Sequence, residues 1–73
     1  MKTLAIVSTD KITGQKKVEH LVPGGMPLQS ARNYAERTYA NLHRGKTVSL
    51  VYGSYDEKTD TMLSPFDVML VIH

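Results

Sequence analysis

The chain's last stretch, "DVMLVIH" (Asp67 to His73), holds five consecutive apolar residues, Val68 to Ile72. A strand with one wet face alternates apolar and polar side chains, so an unbroken apolar run asks for cover on both faces. Only 73 residues are present to supply that cover. A chain of this size buries about 60% of the surface that its unfolded form exposes. There is no Cys, which excludes disulfides, thiol chemistry and cysteine-based zinc sites. Stability must therefore come from close packing or from a second subunit.

The remainder of the chain supplies three further strands and one helix. "KTLAIVST" (Lys2 to Thr9) is rich in Ile, Val and Thr and reads as a strand. Asp10 and Gly14 mark a turn, Gly14 by taking a positive φ. "KKVEHLV" (Lys16 to Val22) alternates and completes a hairpin. "PGGMP" (Pro23 to Pro27) ends that strand, because two prolines and two glycines cannot continue a ladder. The next segment carries Leu28, Ala31, Ala35, Thr38, Tyr39 and Leu42 within one arc at 100° per residue, which predicts a helix over 27–44. Pro27 suits its first turn and Gly45 its left-handed end. Arg32 and Glu36 stand one helical turn apart, as an ion pair requires. "KTVSLVYGSY" (Lys46 to Tyr55) is a third strand with a candidate bulge at Gly53. "DEKTD" is a polar turn, and the fourth strand becomes regular after Pro65.

The element order β-β-α-β-β predicts a single α+β domain over residues 1–73. Its sheet has four mostly antiparallel strands, with one helix on one face. The first and fourth strands are the most apolar and are expected at the centre, parallel to each other, in the order 2-1-4-3. Leu4, Ile6, Val18, Leu50, Phe66, Val68, Leu70 and Ile72 are assigned to the helix side. The other side then carries Ala5, Val7, Leu21, Val51, Met69 and Val71; one helix cannot cover both, which leaves a protein partner, the chain's own loops or a small apolar ligand to cover the second side.

Composition narrows the functional classes. The net charge is +2, charges of both signs are mixed, and apolar residues make up 41%. These values describe an ordered globule. The four-residue apolar run Leu4 to Val7 is too short for a signal peptide and is soon followed by Asp10 and Lys11. No segment approaches the ~20 apolar residues of a membrane span. The expected location is the cytoplasm.

Residues for chemistry are sparse. His20, His43 and His73 have no metal-binding spacing, and no nucleophile stands beside a base in a known motif. "DEKTD" (Asp56 to Asp60) lacks the Gly and closing Glu of a calcium loop. "VPGGMPLQS" has glycines ahead of a helix but neither a Lys-Ser/Thr pair nor GxGxxG spacing. No catalytic residue, metal or cofactor is assigned.

The sequence points instead to a small non-enzymatic interaction protein, a regulator or inhibitor of a larger one. It would self-associate as a homodimer through the open sheet face, using Ala5, Val7, Leu21, Val51, Met69 and Val71 with Tyr55 at the rim. The alternative is a nucleic-acid binder using Lys11, Lys16 and Lys17 of the first hairpin, Arg37 and Arg44 of the helix, and Lys46.

Overall fold

The computed structural model describes residues 2–39 and 45–72. Strand β1 (Lys2–Asp10) and strand β2 (Lys16–Leu21) form a hairpin, followed by helix α1 (Leu28–Thr38), strand β3 (Lys46–Asp56), the short β4 (Thr61–Met62) and β5 (Asp67–Val71). The sheet is antiparallel throughout, in the order β2-β1-β3-β4, and β5 pairs with the same edge of β3 as β4 does. The fold is therefore α+β, with one helix and a curled antiparallel sheet of five strands.

The strand order corrects the expected 2-1-4-3 arrangement. The centre is β1 against β3, nine residue pairs from Lys2↔Ser54 to Asp10↔Lys46, and these two strands are antiparallel. The apolar last strand lies outside them. Counting polar residues misassigned β3 as an edge because its serine, like that of β1, is buried: Ser49 is 8% exposed and Ser8 1%. Ser8 satisfies its hydroxyl by donating to Glu19 Oε2 at 2.6 Å. A small paired hydroxyl costs a sheet interior little, so polarity alone does not mark an edge.

Three rows of cross-strand partners explain the packing. The row His20–Ile6–Leu50–Leu70 faces the helix, while Leu21–Ala5–Val51–Val68 and Val18–Val7–Ser49–Val71 face away from it. Two irregularities flank the first row. Register shifts between Ile6 and Val7 on the β2 side, leaving Glu19 unmatched, and between Leu50 and Val51 on the β5 side, leaving Met69 unmatched. An extra residue in a strand turns everything beyond it to the other face. Val18 and Val68, both assigned to the helix side from sequence, lie instead in the rows facing away. The expected bulge at Gly53 is absent, since Gly53 pairs in register with Thr3.

The helix is shorter than expected. Pro27 precedes its first residue without a side-chain cap, and Tyr39 closes it with its N–H donating to Ala35 O at 2.9 Å. Gly45 has the expected positive φ of 81° but does not close this helix. The expected helical residues 40–44, Leu42 and Arg44 among them, lie outside the described residues. Ala31 and Ala35 are fully buried and let α1 sit close to Ile6, Val48 and Leu50, with Tyr34 and Tyr39 at its flank. Full burial of residues such as Ile6, Val48 and Leu50 stabilises the fold by about 1.5–3 kcal/mol each. The Arg32–Glu36 pair forms at 3.2 Å.

The second face has its own lid. Ala5, Val7, Val18 and Val51 form a separate buried cluster, packed against Tyr55, Met62 and Phe66. The β3–β4 hairpin and the segment leading to β5 curl over the sheet and supply these three side chains. Phe66, assigned from sequence to the helix side, belongs here. Gly53 is its seat: a Cβ added at Gly53 would lie 2.7 Å from Phe66 Cβ. Gly53→Ala is expected to destabilise the protein by about 1–3 kcal/mol, the usual cost of overpacking. Urea unfolding should show this loss, and Gly53→Ala combined with Phe66→Ala should lose less than the sum of the two single changes.

Candidate functional site

The residues proposed from sequence as an open-face interface divide into two groups. Ala5, Val7 and Val51 lie beneath the second lid and are closed to any partner. Tyr55 packs on the same cluster, and its hydroxyl donates to Asp60 Oδ1. That bond, more than burial, holds the Tyr55 phenol above its ordinary pKa. Leu21 and Val71 remain accessible on that face, whereas Met69, expected beside them, is accessible on the helix side with Leu4, Leu28 and Tyr52, where its unmatched position in β5 sets it. Val71 is 58% exposed, Met69 49%, and the neighbouring Val68, assigned to the helix side from sequence, 55%. The expectation of a continuous apolar face is thus replaced by an apolar edge.

That edge is β5. It pairs with β3 on one side, and no strand among the described residues pairs with it on the other. The Ile72 N–H donates to Val48 O at 2.8 Å, so by alternation Val71 turns its own N–H and C=O away from β3. The remaining edge of the sheet, β2, is different. It carries Lys16, Lys17 and Glu19, and the curl draws it towards β4, with Val18, Lys16 and Lys17 facing Thr61, Met62 and Phe66. Charge and cover are the usual protections of an edge. On β5 the charge is limited to Asp67 at its start.

The basic residues of the alternative reading are partly gathered. Asp10 pairs with Lys46, Thr9 with Lys16, and the Lys11 N–H donates to Gly45 O at 2.9 Å. Lys11, Lys16, Lys17 and Lys46 therefore lie at one end of the sheet. Lys16, Lys17 and Lys46 line a groove there with Asp10, Gln15, Thr59, Asp60 and Thr61. Arg37 is in the last turn of α1, and Arg44 lies outside the described residues. Asp10 places acidic charge among these lysines. Its carboxylate accepts the N–H groups of Ile12 at 2.8 Å and Thr13 at 3.0 Å. The Thr13 and Ile12 bonds, together with nearby Lys46, hold its pKa below the ordinary aspartate value.

Folding therefore favours the ionised Asp10. Its stabilisation is complete above the ordinary aspartate pKa and is lost as pH falls through the lower folded value. Asp10→Ala should be less stable than the parent at neutral pH, and the difference should shrink as the solution is acidified through that window. Thermal melts of both proteins across an acid series measure it.

Other candidate residues have structural roles. His20 packs its ring on Tyr34, with centroids 5.0 Å apart, and Tyr34 meets Tyr39 edge-on. The Tyr39 hydroxyl donates to the Glu19 carbonyl at 3.4 Å, and burial, with Tyr34 and Glu19 nearby, raises its pKa. His43 and His73 lie outside the described residues. Asp56 closes the β3–β4 turn by accepting the Lys58 N–H at 3.0 Å and the Thr59 hydroxyl at 3.1 Å. Among the described residues, no three His, Asp or Glu side chains gather as metal ligands, and no helix is long and apolar enough to cross a membrane.

One concavity was missed by the sequence reading. Beyond the N-terminal end of α1, the helix side of the sheet is uncovered around Leu4 and Tyr52. The loop Pro23 to Met26 and Leu28 wall it on one side and Met69 on the other, leaving a groove open to solvent with a volume of about 430 Å³. A signal was available: an 11-residue helix spans about 16 Å, while β3 runs for 11 residues, roughly 30–35 Å. Compared with known proteins, the chain matches no family model, no curated protein and no solved structure.

Proposed function

We propose that this is a small, non-enzymatic protein–protein interaction module of the cytoplasm, a regulator or inhibitor of a larger protein, which self-associates edge to edge through β5. The observation that carries this reading is the contrast between the two sheet edges. β2 is charged and abutted by β4, whereas β5 has no further strand beside it among the described residues and carries the half-exposed Val68 and Val71. Addition of a strand to such an edge satisfies the backbone and covers the side chains together. A second copy supplies a matching edge, and twofold pairing closes the assembly.

Sedimentation from low to high micromolar concentration should show a monomer–dimer equilibrium. Val71→Lys should shift it to monomer without altering the melting temperature measured at concentrations where the parent is monomeric, because Val71 contributes little to the core of a single chain. A parent protein that sediments as a monomer throughout would count decisively against the reading.

A second reading, binding to nucleic acid, is favoured by the gathering of Lys11, Lys16, Lys17 and Lys46 at one end of the sheet. Three or four phosphates neutralised there would give a log–log salt slope of about −3. Replacing Lys16 and Lys46 with Gln should reduce that slope by about two. Binding of duplex DNA measured by anisotropy at several salt concentrations tests it, and salt-independent binding or none would rule it out.

A further inference from the structure

The groove beyond α1 has the character of a ligand site distinct from the β5 edge pairing. Its base is laid by cross-strand partners on the helix side: Leu4 opposite Tyr52, with the Val22 N–H donating to Leu4 O at 2.8 Å. Four of the large apolar side chains that remain accessible in this protein converge on it: Met26, Leu28, Tyr52 and Met69. Their convergence has a cause in the chain. The break at Pro23 to Pro27 delays the helix, so α1 begins too late to cover this end of the sheet, and the unmatched Met69 of β5 stands at the opposite wall.

Charge chooses among occupants. Lys2 is the one side chain with a full charge among the described residues that line the groove, and no Asp or Glu is among them. No ion pair links Lys2 to a carboxylate among the described residues. A volume of about 430 Å³ falls within the range of small-molecule sites, which join a mostly apolar lining to a few polar groups that set orientation. A peptide strand is a poorer fit, because the free backbone groups it would need lie along β5 and not across the groove.

We propose that this groove binds a small amphipathic carboxylate, its hydrocarbon body against Leu4, Leu28, Tyr52 and Met69 and its carboxylate at Lys2. A cation of the same shape would meet Lys2 unfavourably, and a neutral analogue would lose the ion pair while keeping the apolar contact. An exposed ion pair of this kind corresponds to about a fivefold difference in affinity.

The test is a ¹⁵N-resolved NMR titration of the full chain with decanoate, decanol and decyltrimethylammonium, each below its micelle concentration. Saturable shifts are expected at the amides of residues 2–4, 22–28, 52 and 69. Decanoate should bind about fivefold more tightly than decanol, and the ammonium most weakly. Lys2→Gln, a change at an exposed strand end, should erase the preference for decanoate and leave decanol binding intact. Val71→Lys should bind decanoate as the parent does, which separates this proposal from the dimer reading. Equal affinity for all three probes, shifts spread over β5 or the lysine end, or no saturable shift would overturn it.

Discussion

The β1–β3 ladder is the element on which everything else depends. Its middle, Ala5 to Ser8 against Val48 to Val51, is buried on both faces. A two-stranded core of that kind cannot stand in water without a layer on each side. The chain provides two unlike layers. One is α1, with Ala31 and Ala35 close against Ile6, Val48 and Leu50. The other is an arm, made of the β3–β4 hairpin and the segment leading to β5, that sets Tyr55, Met62 and Phe66 on Ala5, Val7, Val18 and Val51. Each lid is only as long as its segment, and the surfaces left over are what a partner or ligand can reach.

Those remainders are of two kinds. At β5 the arm has passed and no described residue pairs with the strand's outer side, so backbone groups and apolar side chains are offered together. At Leu4 and Tyr52 the helix has not yet begun, so the sheet is bare on the other face and hollow. The lysines occupy a third region, the opposite end of the ladder, where Asp10 and Lys46 are direct partners. The groove and the lysines therefore sit at different ends of the same two strands.

The first four elements, the turns at Asp10 and Asp56, and the small-sided helix face were legible because each rests on local chemistry, whereas the expected single fourth strand is two, β4 and β5. A carboxylate bonding the next backbone N–H groups closes a turn wherever it occurs, and Ala31 and Ala35 mark a close approach whatever lies beneath. The faces were legible only as far as strict alternation held. Leu4, Ile6, Leu50, Leu70 and Ile72 were placed on the correct side, whereas Val18 and Val68 were reversed by single unmatched neighbours, Glu19 and Met69. A β-bulge leaves no reliable mark in composition, since either residue could continue a regular strand. Phe66 was misplaced because the strand was extended back through a segment that serves as a lid. The edge was misread because buried Ser49 in β3 resembles a surface residue until its surroundings are known.

The two lids share a wall. Val48 and Leu50 belong to the cluster under the helix, while Val51, their near neighbour in β3, belongs to the cluster under the arm. Neither half of the interior owns its backbone, so loosening one strips the other of the rigid strand against which it packs. The protein has two hydrophobic compartments raised on one strand, an arrangement that favours losing the helix and the aromatic arm together although they never meet across the sheet.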